Sequence, residues 1–305
     1  MNTEHDQQPS YLQLFRSGEL RRREEIFSRQ AESCELCPNE CHINRIKGEK
    51  GRCNGGSCAV VSSASPHFGE EDPLVGSCGS GTIFFCHCPL HCLFCQNYEI
   101  SQLGEGQPVS DTQLSNLMLG LQERGCHNIN LVTPTHYVPN IIRALVQAIP
   151  SGLHIPLVYN TGGYDSIGTL RLLNGVVDIY MPDFKYWDDE TAYLYSGIRR
   201  YHEAARAAVT EMYRQVGDLK CNNDGVAFRG LLIRHLVLPH DITRSCEIMR
   251  FIAEKISTST YVNIMAQYRP AFHAFHDQKL RRAVTPDEYD TVIRFARSIG
   301  LYRGF

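Results

Sequence analysis

Three closely spaced cysteines are the residues of this sequence best suited to chemistry. Cys88, Cys92 and Cys95 form a C-x3-C-x2-C pattern directly after a short β-like run at residues 82–85. Thiolates on a short loop are the usual ligands of iron–sulfur clusters. Three thiolates leave one iron of a four-iron cluster open, and that iron can bind a small chelating ligand and pass it one electron. The spacing also fits a zinc ion with a fourth ligand from Cys86, His87 or His91.

A second set of cysteines lies earlier in the chain. Its members follow a C-x2-C-x3-C pattern with one further cysteine and are Cys34, Cys37, Cys41 and Cys53. Four thiolates saturate a tetrahedral ion, as in closed structural zinc sites, and the same set can hold a second iron–sulfur cluster. The sequence predicts a bound metal here and leaves zinc and a cluster equally open.

Cysteine usage and composition bound the class of protein. The chain has 305 residues and 13 cysteines, ten of which lie between Cys34 and Cys95. An odd, clustered set behind a polar and acidic N-terminal stretch fits reduced, metal-binding thiolates better than disulfides, and predicts a cytoplasmic protein. The net charge of −3 and the pI of 6.5 argue against nucleic-acid binding and against a membrane-surface protein. No apolar run is long enough for a membrane span.

Alternating strand-like and helix-like segments must position these cysteines. The predicted strands are residues 82–85, 129–133, 155–159, 176–181, 231–238 and 261–265. The predicted helices are residues 17–33, 111–124, 138–148, 164–173, 188–216 with a break at Gly197, 242–256 and a last one that begins at Thr285. Such alternation implies parallel strands joined by right-handed crossovers. A barrel, a partial barrel and a doubly wound sheet all fit, and each binds ligands at the carboxyl ends of its strands.

The segment before residue 82 differs from the rest. Residues 55–81 are rich in glycine, serine and proline, which predicts irregular structure held by something other than an apolar core. We therefore expect two parts. Residues 1–81 form a helix and a cysteine-rich metal-binding segment, and residues 82–305 form an α/β domain with a C-terminal helix.

The cysteine triad, with Phe94 before its third cysteine, resembles the radical S-adenosylmethionine (SAM) superfamily. The longer string, GSGTIFF followed by C-x-F-C-QN-YEIS, resembles the branch that contains pyruvate formate-lyase activating enzyme and its uncharacterised relatives. The resemblance implies a partial (β/α)6 TIM-like barrel with an N-terminal cysteine-rich extension. It also implies that Cys88, Cys92 and Cys95 ligate a [4Fe–4S] cluster whose open iron binds SAM.

The activity implied by this resemblance is reductive cleavage of SAM to a 5′-deoxyadenosyl radical, which abstracts hydrogen from a substrate. One role within the family is activation of a glycyl-radical enzyme, and another is hydrogen abstraction from a small molecule or peptide. Either needs a one-electron donor such as flavodoxin or ferredoxin. The rival hypothesis is a zinc- or cluster-bearing adaptor or electron-transfer protein without SAM chemistry.

Residues at other strand ends match SAM-contacting positions of the family. Phe94 is expected against the adenine. Asp183 and Lys185 match an Asp-x-Lys pattern, and Arg234 begins a string of the form R-x-L-V-x-P. Asn160 ends the third predicted strand before two glycines that allow close backbone approach to a ligand. The chain departs from the family at residues 133–136, which read Thr-Pro-Thr-His where many members have Gly-Gly-Glu.

Overall fold

Residues 8–305 are described by a computed structural model of the chain, with helices and strands that alternate after residue 80. The helices are α1 (Tyr11–Arg16), α2 (Glu19–Gln30), α3 (Asp72–Val75), α4 (Tyr98–Ser101), α5 (Asp111–Glu123), α6 (Val138–Ala148), α7 (Ile167–Leu173), α8 (Asp189–Ser196), α9 (Tyr201–Val216), α10 (Ser245–Phe251) and α11 (Pro286–Ser298). The strands are β1 (Ala59–His67), β2 (Ser80–Phe85), β3 (Gln107–Val109), β4 (Ile129–Val132), β5 (Leu157–Thr161), β6 (Ile179–Pro182), β7 (Lys220–Cys221), β8 (Ala227–Leu236) and β9 (Tyr261–Met265). Within this part of the chain, no helix combines the length and apolarity that crossing a membrane requires.

Six strands form the parallel part of the sheet. The strands β2, β4, β5, β6, β8 and β9 are neighbours in that order, and every adjacent pair is parallel. This confirms the six predicted strands and their parallel direction, although the whole sheet has nine strands. The order never reverses, so the doubly wound alternative is wrong. The two ends of the sheet do not pair with each other within residues 8–305, so the sheet is open and a barrel is not confirmed.

The segment at residues 55–81, predicted to be irregular, contains a strand of this sheet. β1 pairs antiparallel with β2 and also with β3, giving a mixed nine-stranded sheet. The prediction was wrong because β1 contributes few apolar side chains to the core. Ala59 and Val61 are buried, whereas Ser62 and Ser63 are exposed. β1 is stabilised by backbone hydrogen bonds to β2 on one side and β3 on the other. Backbone hydrogen bonds leave no apolar pattern in the sequence, so the strand could not be recognised there.

Helix ends agree with the sequence signals. Ser110 and Gln113 form a capping box at the start of α5, and Thr285 and Glu288 form one at the start of α11. The predicted break in the long helical segment is confirmed at Gly197. This residue has a φ of 64° between α8 and α9, a conformation that glycine adopts without strain.

The two faces of the sheet have different roles. Right-handed crossovers that step in one direction place the connecting helices on one face, where the main apolar core lies. On the opposite face a smaller apolar cluster includes Leu74 of α3, Val158 and Leu232. Asn160 and Arg234 follow these last two residues by two positions and therefore share that face. The polar residues at the carboxyl ends of β5 and β8 thus point away from the helices.

A buried histidine beside this region predicts a pH effect on stability. His235 is fully buried, donates from Nδ1 to the Phe184 carbonyl at 2.7 Å and accepts at Nε2 from the Ser245 hydroxyl at 2.9 Å. Burial lowers its pKa to about 4. A lowered folded-state pKa stabilises the protein above the unfolded value of 6.5, and this contribution is lost as the pH falls toward 4.

Between pH 7 and pH 4.5 the free energy of unfolding of the unmodified protein should fall as His235 becomes costly to keep neutral. In His235→Gln this fall should be smaller by roughly 2–3 kcal/mol. Guanidinium unfolding curves at both pH values measure the difference. Equal losses in the two proteins would contradict this assignment.

Candidate functional site

The loop after β2 turns sharply, and this turn separates Cys86 from the cysteine triad. His87 has a φ of 69°, a left-handed conformation that is rare for a residue with a side chain. In a continued strand Cys86 and Cys88 would share a face, but this turn separates them. The fully buried Cys86 thiol instead donates to the Glu105 carbonyl at 3.3 Å. Cys86 is thereby removed as a competing ligand.

Cys88, Cys92 and Cys95 line one cavity of about 270 Å³ at the carboxyl ends of the parallel strands. The same cavity is lined by the other residues predicted to contact SAM, namely Phe94, Asn160, Asp183, Lys185 and Arg234. The cysteine loop is held from outside by the end of α8, since the backbone amide of Leu93 donates to the Tyr195 carbonyl at 2.8 Å. The structure therefore brings together all eight residues from four separate segments of the sequence.

A hydrogen-bonding group lies beside each sulfur of the triad, and those at Cys88 and Cys92 are donors. The hydroxyl of Ser196 donates to the sulfur of Cys92 at 2.9 Å. The hydroxyl of Ser101 lies 3.1 Å from the sulfur of Cys95. The sulfur of Cys88 accepts from the Leu90 amide at 3.4 Å. Burial raises the pKa of the Cys88 and Cys92 thiols, and the nearby Lys185 ammonium acts in the opposite direction. This donor set suits sulfurs that carry negative charge, as metal-bound thiolates do.

The three residues predicted as a possible fourth zinc ligand make other contacts. Cys86 faces away, and the Nε2 of His91 donates to the Arg52 carbonyl at 2.9 Å. His87 packs its ring against Gly104, where an added Cβ would lie 2.4 Å from the ring. Within residues 8–305, no three His, Cys, Asp or Glu side chains are gathered closely enough to hold one metal ion.

A buried charge network forms the wall opposite the cysteines. Asp183 accepts from the Lys185 ammonium at 2.6 Å and from the Nε of Arg234 at 2.9 Å. A second nitrogen of Arg234 donates to the amide oxygen of Asn160 at 3.1 Å. The charged side chains are only 15–21% exposed. Burial disfavours the ionised form of Asp183, but the two cations outweigh this effect and hold its pKa below the usual value.

Lys185 and Arg234 keep unused hydrogen-bond capacity. A lysine ammonium has three N–H donors and an arginine five, and the bonds to Asp183 and Asn160 use only some of them. Burial lowers the pKa of each cation, but their acidic neighbours raise it more, so both stay charged. Two fixed cations beside one carboxylate can bind an anionic group such as a ligand carboxylate.

Phe94 is buried beside the triad. Its ring packs edge-to-face on Tyr186 and Tyr268, with centroid distances of 6.4 and 6.0 Å, and part of it lines the cavity. These rings fix the orientation of Phe94, so an aromatic surface is available to a flat ligand.

Several residues that position this site were missed by the sequence reasoning. Glu71, at the start of α3, lies 3.8 Å from Arg234 and accepts from the Asn263 side chain at 2.9 Å. Tyr201 of α9 donates to the backbone carbonyls of Gly162 and Asp183, which joins the ends of β5 and β6. No local pattern distinguishes these residues, because their partners are remote in sequence.

Thr133, the first residue of the segment that replaces the family's Gly-Gly-Glu, has an unusual backbone conformation. Thr133 lines the cavity with a φ of 59°, which is unusual for a β-branched residue and marks local strain. The amide of Thr133 donates to the Asn160 carbonyl at 2.8 Å, so the end of β4 is bound to the end of β5. The departure from Gly-Gly-Glu thus lies in the cavity wall itself.

Two histidines at the ends of predicted strands, His136 and His240, do not line the cavity. The buried His136 donates from Nε2 to the Cys86 carbonyl at 2.9 Å and does not line the cavity. The backbone amide of His240 donates to the Glu288 carboxylate beside α11. Neither histidine touches the triad or the charge network.

The N-terminal cysteines form a separate group. Cys34, Cys37 and Cys53 are buried and Cys41 is half-buried. Asn39 connects this group to the triad loop, since its amide donates to the Cys37 sulfur at 3.6 Å and to the Pro89 carbonyl at 3.3 Å. Within residues 8–305, these cysteines too are not gathered closely enough for three of them to hold one metal ion.

Comparisons with known proteins give one relative in sequence and a distant likeness in structure. No protein-family model matches the chain. An uncharacterized protein of Methanocaldococcus jannaschii, MJ0674, is 29% identical over 287 residues, covering 91% of this chain and 78% of the relative. The solved structure of TYW1 with a lysine-pyruvate adduct bound has a TM-score of 0.43 and 9% identity, covering 71% of each chain. The functional assignment therefore depends on the site residues themselves.

Proposed function

We propose that this chain is a radical SAM enzyme. The observation that carries the proposal is the convergence of three cysteines and the Asp183–Lys185–Arg234 network on one cavity at the carboxyl ends of parallel strands. Ligands of open parallel sheets bind at that edge. A cavity with soft sulfur ligands on one wall and fixed cations on the other suits a cluster and a zwitterionic nucleotide together.

In this proposal Cys88, Cys92 and Cys95 hold a [4Fe–4S] cluster. When bound, the cluster and SAM supply reductive cleavage of the sulfonium to a 5′-deoxyadenosyl radical, after an electron arrives from a donor such as flavodoxin or ferredoxin. The protein's own residues bind and orient. Lys185 and Arg234 receive the SAM carboxylate, and Asp183 receives its amine while it fixes both cations.

The finer assignments rest on the resemblance described above. A partial (β/α)6 barrel accounts for six parallel strands in sequential order with an open edge. Phe94 offers its ring to the adenine, and Asn160 orients Arg234 through their 3.1 Å hydrogen bond. The resemblance of the string from GSGTIFF to YEIS implies that the substrate is a glycyl-radical enzyme, which this chain would activate.

The test is anaerobic reconstitution of the full chain with iron and sulfide, followed by dithionite reduction in the presence of SAM. We expect a reducible four-iron signal in electron paramagnetic resonance and formation of 5′-deoxyadenosine. Colourless protein that retains only zinc, or a reducible cluster that leaves SAM intact, would contradict the proposal.

The hydroxyl of Ser196 should tune the cluster. It donates to the Cys92 sulfur at 2.9 Å, and the Tyr186 hydroxyl, 2.6 Å away, holds it in place. A hydrogen bond to a ligand sulfur stabilises the additional negative charge of the reduced cluster, so Ser196→Ala should lower the reduction potential. A redox titration monitored by electron paramagnetic resonance measures the shift.

Tyr186→Phe is the matched variant, because it removes a hydroxyl that touches Ser196 and leaves the Ser196 hydroxyl in place. We expect a shift in the same direction but smaller than that of Ser196→Ala. An unchanged potential in Ser196→Ala would show that this hydroxyl does not act on the cluster.

A further inference from the structure

Arg45 is a buried cation within the N-terminal cysteine group. It is 4% exposed, and its polar partners are two sulfurs and one carbonyl. Nε donates to the sulfur of Cys34 at 3.2 Å, one terminal nitrogen donates to that of Cys53 at 3.2 Å, and the other donates to the His136 carbonyl at 2.8 Å. Among residues 8–305, no carboxylate forms a salt bridge with this guanidinium.

A buried guanidinium requires negative charge nearby, because removing it from water is costly unless it is paired. Arginine does not deprotonate in proteins, so the charge of Arg45 cannot be relieved by proton loss. The sulfurs of Cys34 and Cys53 are the available counter-charges, and they provide it only as thiolates.

Further donors point at the same sulfurs. The backbone amide of Gly55 donates to Cys53 at 3.4 Å, and the side-chain amide of Asn39 donates to Cys37 at 3.6 Å. Cys34, Cys37 and Cys53 are buried, so these donors act where little water competes for the sulfurs. Sulfurs that receive several donors in a dry site, close to one another, are stabilised as thiolates when they share a metal.

Two glycines permit this arrangement. A Cβ at Gly55 would lie 2.9 Å from a guanidinium nitrogen of Arg45 and 2.8 Å from the ring of His136. A Cβ at Gly51 would lie 2.9 Å from the sulfur of Cys41. The backbone therefore closes around the cysteines at the two positions where a side chain would not fit.

We propose that Cys34, Cys37, Cys41 and Cys53 bind a second metal centre, an iron–sulfur cluster, with Arg45 hydrogen-bonded to two of its ligand sulfurs. A donor set of sulfur alone selects zinc or iron–sulfur clusters among biological metals. Hydrogen bonds from Arg45, Gly55 and Asn39 to these sulfurs are the kind of contact by which proteins tune iron–sulfur clusters, which favours the cluster. The inference depends neither on SAM nor on the triad at Cys88.

The decisive measurement is the metal content of the full chain in which Cys88, Cys92 and Cys95 are all replaced by alanine, prepared without oxygen. We expect about four iron and four sulfide per chain to remain, with a visible absorption band near that of other [4Fe–4S] proteins. One equivalent of zinc would overturn the cluster assignment, and absence of bound metal would overturn the centre altogether.

Adding Cys37→Ala and Cys53→Ala to that variant should remove the remaining iron, whereas Cys58→Ala, which changes an exposed cysteine of the same segment, should retain it. Arg45→Gln in the same background tests the guanidinium without changing a ligand. We expect at least a twofold loss of iron on exposure to a chelator and an altered paramagnetic spectrum. Unchanged retention and an unchanged spectrum would overturn the role of Arg45.

Discussion

Replacing Cys92 by alanine should remove the iron from the triad loop and reduce SAM cleavage to the level of an unreconstituted sample. Cys92 is 7% exposed, and its sulfur accepts a hydrogen bond from the Ser196 hydroxyl. Two remaining thiolates cannot hold a four-iron cluster that also keeps an open iron for a ligand. Iron and sulfide analysis, together with chromatographic detection of 5′-deoxyadenosine, measures both losses.

Cys86→Ala is the matched control for this experiment. Cys86 is fully buried and only six residues away, but its thiol donates to the Glu105 carbonyl outside the cavity. The control should retain cluster and turnover within about twofold, because no ligand is lost. If Cys86→Ala lost the iron and Cys92→Ala kept it, the ligand assignment at this loop would be wrong.

The parallel core could be predicted from the sequence because its signals are local. Apolar runs of strand length alternate with helical periodicities, and capping residues such as Ser110 and Thr285 mark where helices begin. The location of the site followed from topology. Strand-end residues such as Asp183 and Arg234 meet because the carboxyl ends of parallel strands share one edge.

The surroundings of the site could not be predicted because they depend on remote contacts. Ser196 reaches Cys92 across 104 residues of sequence, and Glu71 reaches Asn263 across 192. The orientation of Cys86 could not be predicted, because the left-handed backbone at His87 interrupts the alternation of the strand. A histidine in that conformation has no distinctive sequence signal, whereas a glycine there would have indicated a turn.

Asp183→Asn should have the second large effect, on both stability and SAM binding. The carboxylate is the direct partner of two buried cations, Lys185 at 2.6 Å and Arg234 at 2.9 Å. Removing one member of a buried ion network leaves the others uncompensated, at a cost of about 3–5 kcal/mol where burial is complete. These side chains are 15–21% exposed toward the cavity, so we expect about 2–3 kcal/mol in guanidinium unfolding.

The pH dependence of this contribution has a definite sign. The pKa of Asp183 is lowered in the folded protein, so its stabilisation is complete above the unfolded value of 3.8 and is lost as the pH falls through the folded value. The difference between Asp183→Asn and the unmodified protein should therefore be constant from pH 6 to 8. It should shrink only in strongly acidic solution.

SAM binding separates the functional role of Asp183 from its structural role. If Asp183 receives the SAM amine and fixes both cations, Asp183→Asn should weaken SAM binding by at least tenfold, which is about 1.4 kcal/mol. Equilibrium dialysis of the reconstituted protein measures this affinity. Asp290→Asn, which removes an exposed carboxylate on α11, should change neither stability nor affinity. If Asp183→Asn lost stability and kept full SAM affinity, the network would serve the fold alone and the nucleotide would bind elsewhere in the cavity.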